Sequence, residues 1–249
     1  MTSEPGRSVA DCAMKCEPPH MQYCSAFAFV PESKLCLLTE AQNADFASVA
    51  PSGLVYRKSI DSDKKLVVID GKKFQVIQHR SKGELSFARG WTQYEDGFGD
   101  ETDFWIGLRT IHELTGSSPK LLRVEAVTWS DELYVSEYSG FSVADASTDY
   151  RMTYTSYLSD SSNTTGDSFT NMKGMQFSTM DRDNDMSSSG FCSNGRGNSG
   201  WWFNHCGNYN PNGVYQNSAV VHPSTMHWGG TAAQHSTALK SIRMMIHLA

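Results

Sequence analysis

Gly90-Trp91-Thr92-Gln93-Tyr94-Glu95-Asp96-Gly97-Phe98-Gly99, followed by Phe104-Trp105-Ile106-Gly107-Leu108, sets the texture of most of this chain: large aromatic residues framed by glycines and acidic turns. The same texture returns at Gly200-Trp201-Trp202-Phe203. Rings of this size fill interiors, so Trp105, Trp129 and Trp201 are expected in a core rather than on a working surface. Strings of this kind suit a mixed sheet plugged by aromatic side chains and followed by a long, loop-rich lobe.

Strands surround these strings. Residues 65–70 and 73–79 flank Asp70-Gly71, a hairpin signal, and residues 121–127 and 151–155 read as further strands, with a loop over 115–119. The polar tract 156–171 contains the acceptor sequon Asn163-Thr164-Thr165, which makes Asn163 a glycosylation candidate. Towards the start the texture changes near Ala50. Residues 8–16 read as a helix entered from a serine cap, which sets Cys12 and Cys16 one turn apart on one face. Residues 25–30 alternate as a half-buried strand, and 34–38 follow as its partner after a turn at Pro31. Two parts are therefore expected, residues 1–45 and 46–249.

Whole-chain properties narrow the function. A formal net charge of −6 over 249 residues offers no basic footprint for nucleic acid, and no apolar run approaches the roughly 20 residues needed to cross a bilayer. Met1-Thr2-Ser3-Glu4-Pro5-Gly6 lacks the basic and apolar regions of a signal peptide, so any export signal is expected upstream or already removed. The six cysteines fall into two even groups, Cys12, Cys16, Cys24 and Cys36, then Cys192 and Cys206. Zinc would want two short-spaced pairs, whereas only Cys12 and Cys16 lie close, so disulfides and an extracellular compartment are the better reading. A Cys192–Cys206 bond would close a loop of about 15 residues, worth on the order of 3 kcal/mol in the chain-entropy model.

The candidate site is acidic. Asp181, Asp183 and Asp185 alternate in a loop, and alternation aims successive carboxylates at one point, as a hard cation such as Ca2+ requires. An EF-hand is excluded because Met186 and Cys192 occupy the positions where it needs glycine and glutamate. No phosphate-cradling glycine loop, zincin helix or dinucleotide fingerprint is present. Gly197-Asn198-Ser199-Gly200 and Asn204-His205-Cys206 superficially suggest a serine protease, but no acid partner motif accompanies them, and an enzyme is not expected.

Taken in order, the strings above continue with Leu122-Arg123-Val124-Glu125, Gly174-Met175-Gln176-Phe177-Ser178-Thr179, Asp183-Asn184-Asp185, Asn212-Gly213-Val214-Tyr215, and Leu239-Lys240 before Met244. Over about 200 residues this series resembles the fibrinogen C-terminal (fibrinogen-related) domain, and in particular its ficolin- and tachylectin-like lectins. The resemblance implies an α+β fold with a mixed antiparallel sheet and a calcium- and ligand-binding lobe. It implies that Asp183 and Asp185 give side-chain oxygens to Ca2+ and that Ser187 and Ser189 complete the ligands with backbone carbonyls. It also implies a pocket beside that loop, built around an unusual cis peptide at His205-Cys206, with Arg196, His205, Cys206, Gly207, Asn208, Tyr209, His222 and His235 as candidates. Three departures stand out. Val67 replaces the first half of an early disulfide, the calcium loop is one residue longer before Cys192, and Gly207 replaces the histidine of the lectins.

Residues 8–40 resemble the cysteine-bearing centre of a PAN/apple module, which implies the pairs Cys12–Cys36 and Cys16–Cys24. The function so implied is secreted, calcium-dependent, lectin-like recognition of acetylated or other glycans in innate immunity, by a homo-oligomer whose avidity compensates for a shallow site. The alternative is a protein–protein ligand or matrix-adhesion module that binds no sugar.

Overall fold

The structure, a computed structural model, describes residues 2–5, 26–30, 35–39, 54–57, 65–164, 166–207, 209–229 and 237–248. The protein forms two compact units, Met1–Ser59 and Ile60–Ala249.

In the first unit, β1 (Thr2–Pro5), β2 (Ala26–Val30), β3 (Leu35–Thr39) and β4 (Leu54–Arg57) form a sheet in the order β1-β3-β2-β4. The expected hairpin is present as β2 and β3, paired from Ala26 and Thr39 to Val30 and Leu35. The two outer strands were not legible in the sequence, since each spans only four residues. Because β4 pairs with β2, Phe27 opposite Tyr56, the chain divides after Ser59 rather than at 45/46. Cys36 is fully buried and disulfide-bonded. Cys12, Cys16, Cys24 and the helix expected over 8–16 lie outside the described residues.

The second unit opens with the other expected hairpin, β5 (Leu66–Ile69) and β6 (Lys72–Arg80). Asp70 and Gly71 join them with φ of 49° and 76°, the left-handed pair that a two-residue turn needs to match strand twist. Short elements follow: α1 (Trp91–Asp96), β7 (Phe98–Gly99), β8 (Phe104–Trp105) and α2 (Leu108–Thr115). Next come β9 (Lys120–Thr128), β10 (Leu133–Val143), β11 (Met152–Thr153) and β12 (Ser156–Tyr157), then α3 (Cys192–Gly195), β13 (His227–Trp228) and β14 (Thr237–His247). The sheet runs β11-β10-β9-β14-β6-β8-β7, with β5 on β6, β12 on β10 and β13 on β14. Every pairing of named strands is antiparallel, which corrects the expected mixture: hairpins and returns, not crossover helices, connect the strands. At the centre β14 pairs with both neighbours, Ile242 facing Arg80 of β6 and Ala126 of β9.

The aromatic strings do plug this unit. Trp105 and Trp201 are fully buried, while Trp129 is half-buried against Tyr215, its ring centroid 6.5 Å away. Phe177 stands within 5.0–6.2 Å of the rings of Trp91, Tyr94, Trp105 and Trp202, so α1, β8 and the loop-rich lobe share one core. Such pairs add about 0.5–1.5 kcal/mol each beyond the area they bury. Val67 faces Phe74 across the hairpin and packs on the cluster of Phe74, Val76, Phe104 and Met245, holding by packing the place where a disulfide was missing.

Candidate functional site

The lobe is tied to α1 by one long-range bond, backed by a local one. Asp181 Oδ1 accepts from the backbone N–H of Trp91 at 2.8 Å and from Thr179 Oγ1 at 2.6 Å. It therefore places a carboxylate at the start of α1, where an unpaired N–H and the helix dipole both favour an anion. This corrects the reading in which all three aspartates aim at one point. Gly90 makes room for the contact, since a Cβ there would lie 2.6 Å from Asp181 Oδ2.

Asp183 and Asp185 do come together. The backbone N–H of Asp185 donates to Asp183 Oδ1 at 3.3 Å, and Asp185 itself accepts from the N–H groups of Ser187 (2.7 Å) and Cys192 (2.8 Å). Burial raises the Asp185 pKa above the ordinary aspartate value; the two N–H bonds oppose this, and the neighbouring Asp183 adds to it. Ser187 and Ser189 pair through their hydroxyls at 3.0 Å. Among the described residues, neither of their carbonyls accepts a backbone hydrogen bond. Two apposed carboxylates with uncommitted carbonyls nearby fit a hard, oxygen-seeking cation. No group of three or more His, Cys, Asp or Glu that could hold a metal occurs among the described residues, so such a site would rest on two carboxylates and neutral oxygens.

This loop is fused to its neighbour. Cys192 and Cys206 are bonded, S–S 2.12 Å and Cα–Cα 4.9 Å, as their spacing suggested. Met186 N–H donates to Asn204 O at 2.9 Å, and Asn204 Nδ2 reaches Asn171 O at 2.9 Å. Beyond the bridge the backbone turns sharply, with Cys206 and Gly207 at φ of 60° and 52°.

The expected pocket residues do not form one wall. Tyr209 is withdrawn into the core, 1% exposed, edge-on to Phe169 (5.1 Å) and Trp228 (4.9 Å). Arg196 is half-buried and spends its guanidinium on the carbonyls of Pro223, at 3.2 Å, and Gly207. Burial lowers its pKa. His205 is exposed beside the bridge, Nδ1 at 2.8 Å from Asn204 Oδ1, and His222 is exposed with Nδ1 2.8 Å from Ser224 Oγ. Asn208 and His235 lie outside the described residues.

Sequence reasoning missed the residue that organises this region, the fully buried Asn210. Its Nδ2 donates to Arg196 O (3.0 Å) and Pro223 O (3.1 Å), while its Oδ1 accepts from Ser199 Oγ (3.0 Å). Only its turn-like Asn-Pro-Asn-Gly context hinted at a structural asparagine. Buried His227 was missed too; burial lowers its pKa, and its Nδ1 pairs with Thr225 O at 2.7 Å. Asn163, exposed, caps the edge of β10 with its amide, accepting from Val135 N–H (2.6 Å) and donating to Leu133 O (2.9 Å).

Comparison with known proteins accords with this geometry. The family model described as fibrinogen beta and gamma chains, C-terminal globular domain, matches residues 66–248. The fibrinogen gamma chain of Xenopus laevis is 35% identical over 187 residues, covering 66% of this chain and 42% of its own length. Among solved structures, the fibrinogen-like globe domain of human ANGPTL6 aligns with a TM-score of 0.65 at 25% identity, covering 100% of this chain and 99% of that one. Lamprey fibrin D-dimer, complexed with the peptide ligand Gly-His-Arg-Pro-amide, aligns with a TM-score of 0.66 at 28% identity, covering 80% of this chain and 66% of that one. The chain thus spans about two fifths of the length of the curated relative it matches.

Proposed function

This protein belongs to the family of the C-terminal globular domain of the fibrinogen beta and gamma chains, and from that premise we propose that it is an extracellular recognition module whose binding face is stiffened by Ca2+. Fibrinogen-related domains are non-enzymatic, and this one is not an enzyme. Fibrinogen-like homologues are secreted, and no described helix is long and apolar enough to cross a membrane.

The observation that carries the reading is the apposition of Asp183 and Asp185 beside the Cys192–Cys206 bridge. Ca2+ would be held by these carboxylates with the carbonyls of Ser187 and Ser189, and its charge would offset their repulsion. Through the Cys192 N–H bond to Asp185, order in the acidic loop passes to the bridged surface bearing His205 and Gly207. The ligand class first proposed is a glycan with acetyl or similar groups, bound by a homo-oligomer through avidity. A glycan array run in Ca2+ and again in chelator tests it: signal that vanishes with chelator upholds it, and a blank in both overturns it.

A second ligand class, a protein or peptide, is favoured by a specific observation. Met186 (59% exposed), Phe191 (41%) and Met180 (40%) flank the carboxylate pair, whereas Tyr209 offers no aromatic wall to a sugar. Methionine and aromatic residues are enriched at protein interfaces. Gly-His-Arg-Pro-amide, the ligand held by the lamprey fibrin structure, is the first probe; Ca2+-dependent binding of it with a blank glycan array would select this class. The first unit, with its buried disulfide at Cys36, is proposed as an apple-like contact module, and Asn163 as a glycan acceptor.

A further inference from the structure

A cavity of about 250 Å3 opens between residues 83–88 and 212–215, with Gly197 of the bridged loop on its wall. Gly83 lets Tyr215 close one side, because a Cβ at 83 would lie 2.2 Å from that ring. The inner wall carries Arg80, 1% exposed, its guanidinium stacked over Phe87 at 4.0 Å. Nη1 makes both of its hydrogen bonds, to Pro211 O (3.3 Å) and Gly213 O (2.7 Å). Nε is buried without a partner, and among the described residues Arg80 forms no ion pair. Asp103 acts on it only through space, its oxygens being engaged by the N–H groups of Ser81, Lys82 and Gly83 at 2.6–3.1 Å. Burial pulls the Arg80 pKa down to about 10, so it remains a cation at neutral pH.

A buried guanidinium with no carboxylate in hydrogen-bond contact is costly, and its fork geometry matches a carboxylate better than any other small anion-bearing group. We propose that this cavity binds a monocarboxylate with a small apolar tail. The volume admits a group about the size of one short side chain, and Phe87, Val214 and Tyr215 supply apolar wall. Glu84 at the exposed rim and Asp103 behind Arg80 disfavour dianions such as phosphate. The carboxylate can belong to a free short-chain acid or to the C-terminus of a peptide.

Ligand-observed NMR on the whole 249-residue chain, with chelator present so that the calcium loop does not contribute, tests the site. Isobutyrate is expected to bind at least about tenfold more tightly than neutral isobutyramide, since the charge-assisted pair is the strong one. Arg80→Gln, which removes the charge, should lose that preference. Val214→Trp, at a rim position 46% exposed, should block binding while leaving the melting temperature unchanged, and it decides the matter if the buried variant does not fold. A tetrapeptide ending in valine, compared with its amidated form, separates the two sources: binding of the free-carboxylate peptide assigns a chain terminus, and binding of isobutyrate alone assigns a small acid. Equal binding of isobutyrate and isobutyramide, no binding of either, or binding unaffected by Val214→Trp would overturn the proposal.

Discussion

Asp181, Asp183 and Asp185 share a spacing but not a role, because a carboxylate's role depends on what reaches it. Asp181 meets the N–H of Trp91, a residue 90 positions away, and no local pattern discloses such a partner. Asp183 and Asp185 find each other within the loop, so that half of the site was legible. Burial of Asp185, with the neighbouring Asp183 adding to it, gives a signed prediction. The raised Asp185 pKa means that the folded, calcium-free protein binds its proton more tightly than the unfolded one does. Stability in chelator should therefore fall as pH rises from the ordinary aspartate range through that raised value. Asp183→Asn should reduce this fall, the part due to burial remaining, and also abolish the increase in melting temperature that Ca2+ gives the parent. Thermal unfolding against pH, with and without Ca2+, measures both, and a parent that gains nothing from Ca2+ would remove the metal from the account.

Among the described elements, two with strong local signals were read correctly. Asp70-Gly71 announced β5 and β6, and the apolar run at 121–127 announced β9. The strands β10 and β14 were not. β10 is interrupted by a register shift between Tyr138 and Phe141, where Gly140 takes φ of 64° with Thr155 Oγ1 only 2.2 Å from a would-be Cβ. β14 is buried irregularly on both faces, so it shows no clean alternation. Gly140→Ala should destabilise the second unit by about 1–3 kcal/mol, through left-handed strain and the clash with Thr155, as read by urea unfolding. Asp181→Ala should cost about 1 kcal/mol by uncapping α1, and Gly90→Ala should cost at least as much by displacing the same carboxylate. A Gly90→Ala protein of parental stability would contradict that packing.

For the whole molecule, the cysteine count pointed to the compartment and the series of aromatic strings to the family, because both signals spread over the sequence. The pocket was less legible: whether Tyr209 lines a surface or a core depends on Phe169 and Trp228, neither of them near it in the expected pocket. Replacing Cys192 and Cys206 together by serine should cost on the order of 3 kcal/mol in loop-closure entropy. It should also weaken Ca2+ binding, since the N–H of residue 192 would no longer be held on Asp185. Calcium titration of the double variant checks the coupling, and unchanged affinity would show that the bridge and the acidic loop act independently.

The position of β14 bears on how the protein is made. Thr237–His247 follows every other strand of its sheet in sequence yet joins β9 to β6 at the centre. As the polypeptide leaves the ribosome, two half-sheets emerge with raw inner edges and nothing to zip them together. Closure waits for the last strand, and until it is made those edges stay open to mispairing. Nascent polypeptides stalled before Thr237 should remain protease-sensitive, and those released past His247 should become resistant.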